Sequence, residues 1–142
     1  MKKIFIIAFT ALLSFGMLSC SKEEFPEGAD LASVRAAMTP EPAAIPAAGG
    51  SFEAAVVVNQ GPNLNVPWEL SVDGNPNWIT ASKIRYKSQF TGTYSGDDVE
   101  VEHDGVSCTV SANTTGKKRT ANLRFTVADG RSVIYTVTQS AK

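Results

Sequence analysis

The sequence has little of what most enzyme active sites need. Its 142 residues include one histidine and two cysteines, and no Cys/His cluster has the spacing of a zinc site. The nucleophile motif Gly-x-Ser-x-Gly, the metal motif His-Glu-x-x-His and a glycine-rich phosphate loop are also missing. We therefore expect a protein that is not an enzyme and that binds no cofactor and no metal.

The chain also lacks an excess of positive charge. It has 13 basic and 14 acidic residues, for a formal net charge of −1, and removal of a signal peptide with Lys2 and Lys3 would make the charge more negative. Nucleic-acid-binding domains carry basic patches, so the composition argues against a nucleic-acid partner.

Long apolar runs are scarce, and the one at the N-terminus is too short to remain across a bilayer. Lys2 and Lys3 precede the apolar residues 4–13, a pattern typical of a secretory signal peptide. Met17-Leu18-Ser19-Cys20 follows and resembles a bacterial lipobox, in which the cysteine is lipidated and becomes the first residue. We predict a signal peptide at residues 1–19 and a membrane lipid anchor on Cys20; the alternative is an ordinary secretory signal with an incidental cysteine.

Residues 20–33 are predicted to be the lipidated cysteine and a flexible tether, because they mix Pro, Gly, Ala and charged residues without an apolar period. Ser21-Lys22-Glu23-Glu24 resembles the short export signal of surface lipoproteins in the Bacteroidetes. That resemblance predicts a lipid-anchored outer-membrane protein displayed on the cell surface, and a generic solvated tether is the alternative. A short helix around Leu31–Met38 is a weak further alternative.

From Val34 to Lys142 the sequence predicts short β-strands. Apolar residues alternate with polar ones along segments that contain Phe52, Trp68, Cys108, Leu123 and Val137, and glycine-containing turns separate these segments. Thr39-Pro40-Glu41-Pro42 ends the first segment, which we expect to be an edge strand or a bulged strand. The pattern predicts an all-β antiparallel sandwich or barrel of 7–8 strands for residues 34–142, and two stacked sheets would bury both alternating faces in one core. Trp68 is expected in that core, with stacking on a sugar as the alternative, and Cys108 is expected to be buried as a small apolar residue.

An additional hairpin is predicted around residues 82–103. Ile84 and Tyr86 alternate with Lys83, Arg85 and Lys87, and a second strand alternates Val99 and Val101 with Glu100 and Glu102. Antiparallel pairing would place the basic row beside the acidic one. Asp104-Gly105 is a strong local signal for a tight turn into the following strand.

Several polar groups are interpreted as solvated rather than functional. His103 lies between Glu102 and Asp104 at an expected strand end, and the acidic residues from Asp97 to Asp104 lack the spacing of a calcium loop. The basic run Lys117-Lys118-Arg119 is interpreted as an exposed turn.

Several short segments together resemble the BACON family, whose name stands for Bacteroidetes-associated carbohydrate-binding often N-terminal. They are Ala48-Gly49-Gly50, Pro67-Trp68-Glu69-Leu70, Asn77-Trp78-Ile79, Val110-Ser111-Ala112-Asn113, Arg119–Phe125 and Tyr135-Thr136-Val137-Thr138-Gln139. The resemblance covers roughly residues 34–142 and implies an immunoglobulin-like fold. This chain departs from the family pattern in the longer stretch between Trp78 and Val106, and it includes no enzyme domain.

The resemblance implies a carbohydrate-binding module, and the expected ligand-binding residues are Phe90 and Tyr94. These two aromatics lie among Gly, Ser and Thr in the predicted hairpin loop, where adaptable residues on a rigid scaffold often form recognition sites. The alternative for Phe90 is packing at the sandwich edge. The alternative function is a structural spacer or a protein-interaction module in an outer-membrane complex, so the expected partners are a glycan or an outer-membrane protein. The domain itself is expected to be monomeric.

Overall fold

Seven strands form two antiparallel sheets in the part of the chain that the structure describes, residues 33–91 and 96–142. The structure is a computed structural model, and the side chains of Phe90 and Thr91 are not described in it. The predicted signal peptide, the lipidation residue Cys20, residues 20–32 of the predicted tether, and Tyr94 lie outside these residues. A search of the same two ranges finds no helix that could cross a membrane.

The order of the strands is that of an immunoglobulin constant-type domain. One sheet has the order β1-β2-β5-β4 and the other β3-β6-β7, which corresponds to the ABED and CFG sheets of that fold. The predicted all-β sandwich is therefore confirmed. The strands are β1 Val34–Thr39, β2 Gly50–Gln60, β3 Trp68–Val72, β4 Ile79–Thr91, β5 Asp98–Val110, β6 Arg119–Val127 and β7 Ser132–Gln139.

The core lies between the two sheets and is built from alternate residues of each strand. Along β6, every second residue from Ala121 to Val127 is buried, whereas the residues between them are partly exposed. Trp68 of β3 is 2% exposed, and its ring meets that of Phe125 edge to face with centroids 5.2 Å apart. The predicted core position of Trp68 is confirmed, and burial of such large rings supplies much of the apolar stabilisation.

Cys108 belongs to the same core and is fully buried. Desolvation raises the pKa of its thiol to about 11. Because the thiolate is the reactive form of cysteine, this side chain stays a protonated, unreactive thiol at neutral pH. The prediction that Cys108 is a small buried apolar residue is confirmed.

The first strand is an edge strand, as predicted from the prolines that follow it. β1 pairs with β2 from Val34–Gln60 to Thr39–Ala55, and nothing pairs with its other side within the four-stranded sheet. The weak helix alternative is wrong for residues 34–38. Pairing with β2 places Met38 among the buried residues, which an exposed helix would not do.

The four-stranded sheet divides into two branches. Pairing of β2 with β5 ends at Ala55–Gly105, whereas β4 and β5 remain paired as far as Thr91–Asp98. We call residues 85–91 and 98–104 the arm, because in the pairing of the sheet they have only each other as partners. The hairpin predicted around residues 82–103 is present as the outward continuation of β4 and β5.

Gly105 lies at the point where the sheet divides. The prediction of a tight turn at Asp104-Gly105 is wrong, because both residues lie within β5. A Cβ on Gly105 would be 2.5 Å from the carbonyl oxygen of Ala54 and 2.7 Å from the Cβ of Tyr86. The glycine is therefore needed for a close approach between strands rather than for a turn.

Replacement of this glycine should destabilise the fold. We expect Gly105→Ala to lower the free energy of unfolding by about 1–3 kcal/mol, because the added methyl group collides with a backbone oxygen that cannot move independently. Gly50→Ala is the matched control, since the nearest atom to its new Cβ is 3.8 Å away, in ordinary contact. Urea unfolding followed by circular dichroism measures both variants, and equal stabilities would contradict the close approach.

Candidate functional site

One face of the arm carries a ladder of paired charges. Arg85 bonds to Asp104 at 2.7 Å and lies 3.6 Å from Glu102, while Lys87 bonds to Glu100 at 2.8 Å and lies 3.5 Å from Glu102. The hydrogen bond and charge of Glu100, with smaller contributions from Glu102, raise the pKa of Lys87. The predicted pairing of a basic row with an acidic row is confirmed, so these acidic residues are not simply solvated.

Lys83 connects this ladder to the core. Its ammonium lies 4.3 Å from the centroid of the Trp68 ring and donates a hydrogen bond of 2.8 Å to the Trp68 carbonyl oxygen. It also lies 3.9 Å from a carboxylate oxygen of Asp104. The lysine thus covers the end of the core with its stem while its charge remains paired at the surface. Trp68 is consequently closed to any ligand that would stack on this face of its ring.

The opposite face of the arm is uncharged. Side chains alternate along a strand, so this face is formed by every second residue of each strand. Its described side chains are Ile84, Tyr86 and Ser88 of β4 and Val99, Val101 and His103 of β5. Val99 is 39% exposed, and the other five are partly buried. This face belongs to the outer side of the sheet, since the charged ladder continues the row of Ile79 and Ala81 that borders the core.

Tyr86 and His103 are directly opposite each other on the uncharged face. The Cβ of Tyr86 is 2.7 Å from the position that a Cβ on Gly105 would take, so the tyrosine is close to the backbone of β5 at this point. Among the described residues, neither the phenol oxygen of Tyr86 nor the imidazole of His103 has a hydrogen-bond partner. This pair was not predicted from the sequence. Pairing Lys87 of the basic row with Glu102 of the acidic row would have placed Tyr86 opposite His103.

The predicted ligand-binding residues are placed only in part. The backbone of Phe90 is opposite Val99 near the end of the arm, but its side chain and all of Tyr94 lie outside the described residues. His103, predicted to be solvated, is partly buried on the uncharged face. Within residues 33–91 and 96–142, no group of three or more His, Cys, Asp or Glu residues could hold a metal ion.

The motif residues that suggested the BACON family form a polar cluster at one end of the sandwich. The guanidinium of Arg119 lies 4.3 Å from the centroid of the Trp78 ring and donates a 2.8 Å hydrogen bond to the side-chain oxygen of Gln139. The Gln139 amide in turn donates to the carbonyl oxygens of Ser111 and Pro46 at 2.8 and 3.1 Å. The interpretation of Arg119 as part of a solvated basic turn is wrong, because it stacks on an aromatic ring and bonds to a buried amide.

Asn113 completes this end of the domain. It is 1% exposed, its amide donates to the carbonyl oxygens of Lys117 and Ser140, and its own oxygen accepts hydrogen bonds from the backbone and hydroxyl of Thr115. These bonds use the donors and acceptors of its side-chain amide. The cluster therefore holds the C-terminal residues and the neighbouring turns together and leaves few free polar groups for a ligand.

Shallow clefts are present on the described surface. One of about 150 Å³ lies between residues 42–44 and β7, and another of about 310 Å³ lies between residues 67–69 and 126–128. A third, of about 330 Å³, is lined by Ala47, Ala48, residues 112–114 and Lys142. Ligand pockets usually combine apolar walls with convergent polar groups. The buried Asn113 beside the third cleft is already fully bonded, so the arm remains the stronger candidate.

Removal of the Arg119 side chain should show whether the cluster is structural. We expect Arg119→Ala to lower the free energy of unfolding by about 1–3 kcal/mol, because the buried oxygen of Gln139 loses its hydrogen-bond donor. Lys118→Ala, one residue away and exposed, should change it by less than about 0.5 kcal/mol. Thermal and urea unfolding measure both variants, and an unaffected Arg119→Ala would argue against this role.

Comparisons with known proteins support the family resemblance of the sequence motifs. Residues 67–140 match the BACON family model, which is described as "Putative binding domain, N-terminal". No curated protein matches the chain. Among solved structures, a similar one is a Bacteroides ovatus GH5 xyloglucanase in complex with a XXXG heptasaccharide, with 22% sequence identity over 78% of this chain and a TM-score of 0.47. This chain spans 19% of the length of that protein. Because the family match covers more than half of the chain, the protein belongs to the BACON family.

Proposed function

We propose that the protein is a non-catalytic carbohydrate-binding module that a lipid on Cys20 anchors at the surface of the outer membrane. The observation that carries this proposal is the match of residues 67–140 to a family of binding domains. The arm supports it, because a paired hairpin with one uncharged face can present aromatic and polar groups to a neutral ligand. The lipobox-like sequence before Cys20 supports the anchor.

Phe90 and Tyr94 are proposed to contact the glycan near the end of the arm. Aromatic rings suit the apolar faces of sugar rings, and the Gly, Ser and Thr residues around them offer adaptable hydrogen bonds. Phe90 is near the end of β4 and Tyr94 follows it in the sequence between β4 and β5, a position that would separate the ligand from the body of the sandwich.

A glycan array is the direct test of binding. We expect the tag-free protein, made as Cys20→Ser without its signal peptide, to bind at least one polysaccharide of an array that includes neutral plant glycans and mucin oligosaccharides. The double variant Phe90→Ala/Tyr94→Ala should weaken that binding by about tenfold or more, which corresponds to about 1.4 kcal/mol. Binding to none of the glycans, in protein shown by circular dichroism to be folded, would overturn the proposal.

A structural spacer or protein-interaction module is the second candidate, and one observation favours it. The two tryptophans of the family motif are not available to a sugar, because Trp68 is buried and covered by Lys83 and Trp78 is stacked under Arg119. Cross-linking in intact cells followed by membrane pull-down would recover a defined outer-membrane partner if this candidate holds. A chain recovered without a partner, together with glycan binding, would exclude it.

The anchor makes a separate prediction. Cells that express the full chain and are fed radioactive palmitate should label it, and Cys20→Ala should abolish the label because no other residue occupies the lipobox position. Cys108→Ala is the control and should remain labelled, since its thiol is buried in the folded domain. Labelled Cys20→Ala protein would contradict anchoring at this residue. Protection of the folded domain from protease added to intact cells would contradict surface display.

A further inference from the structure

We propose that Tyr86 and His103 form a subsite for one neutral pyranose unit of the glycan, on the uncharged face of the arm. This inference rests on the proposed carbohydrate-binding function and locates a contact that Phe90 and Tyr94 do not provide. Its basis is the register of β4 and β5, which places the two side chains directly opposite each other.

The pair offers the chemistry that a sugar ring needs. A pyranose has an apolar face of C–H groups and a rim of hydroxyl groups, so its binding sites combine an aromatic surface with nearby hydrogen-bonding groups. Tyr86 supplies the aromatic surface, and the imidazole of His103 has both a donor and an acceptor when neutral. Ser88, two residues along β4, adds a hydroxyl group on the same face.

The position of Tyr86 is set by the strands beneath it. Its Cβ occupies the space above Gly105, 2.7 Å from where a side chain on that residue would begin. Cross-strand pairing at Ile84–Gly105 and Ser88–Val101 holds β4 and β5 in register on both sides of the tyrosine. An aromatic side chain on a paired strand loses less conformational freedom on binding than an aromatic side chain in a loop.

The charges of the arm select a neutral ligand. Arg85 and Lys87 and their partners Glu100, Glu102 and Asp104 are on the other face of the arm, where they pair with each other. The face with Tyr86 and His103 has no acidic or basic neighbour among Ile84, Ser88, Val99 and Val101. A glycan with carboxylate or sulfate groups would therefore gain no ion pair there.

The size of the face favours a small ligand over a protein that binds through this face alone. A stable protein–protein interface needs about 800 Å² and about 20–30 residues from each partner, whereas the uncharged face of the arm offers six described side chains, of which Val99 is the most exposed at 39%. One or two sugar rings match such a face, so we commit to a glycan as its occupant.

The test uses the glycan that binds best on the array, titrated by calorimetry into the tag-free protein. Tyr86→Ala should weaken binding by about tenfold or more, and Tyr86→Phe by less than about threefold, because the ring remains. Lys87→Ala, on the charged face of the same strand, is the matched control and should bind like the parent protein. Unchanged affinity of a folded Tyr86→Ala would overturn the subsite.

A second measurement does not depend on variants. The chain has one histidine, so the NMR spectrum of the tag-free protein contains a single histidine Hε1 resonance, and saturating glycan should shift it. A resonance that stays in place while the glycan binds overturns the subsite but leaves the proposed function intact. A preference for anionic over neutral glycans likewise overturns it, whereas binding to no glycan at all overturns the proposed function itself.

Discussion

Burial of one apolar row from each sheet is the interaction on which this domain depends. Leu123 and Phe125 of β6 in one sheet and Val56 and Val106 in the other belong to the same core, and all four are inaccessible to solvent. Without this burial, two sheets of three and four short strands would have little to offset the conformational entropy lost on folding. The turns, the polar cluster at Gln139 and the arm all take their positions from strands that this core holds together.

The residues that identify the family and the residues that could bind a ligand are in different places. Trp78, Arg119 and Gln139 are bonded to each other at one end of the sandwich, where they support the fold. Tyr86 and His103 lie on the longer stretch by which this chain departs from the family pattern. A family motif can therefore specify an immunoglobulin-like scaffold while the recognition surface varies in strand length and loop sequence.

The alternation of apolar residues predicted the strands well, because a period of two is a local property of an extended chain. The complementary charges also predicted that the basic row of β4 would lie beside the acidic row of β5. The exact register, with Lys87 opposite Glu102 and Tyr86 opposite His103, came from the structure. The sequence did not predict which face of the sheet carries the charged row. In the structure Lys83 continues the row of the core residues Ile79 and Ala81, so the charged row is on the face of the sheet that borders the core. The turn predicted at Asp104-Gly105 was wrong because the local turn signal competes with a contact that is distant in sequence. Gly105 lies within β5 and packs closely against the backbone of Ala54.

The cations of β4 oppose edge-to-edge association of neighbouring molecules. β4 is the outer strand of its sheet, and exposed outer strands can join the sheet of an identical neighbour. Antiparallel joining of two β4 strands would bring Lys83, Arg85 and Lys87 of one copy against the same three residues of the other, and like charges on facing strands repel. The ladder that pairs the two strands of the arm thus also opposes the joining of neighbouring copies into a continuous sheet.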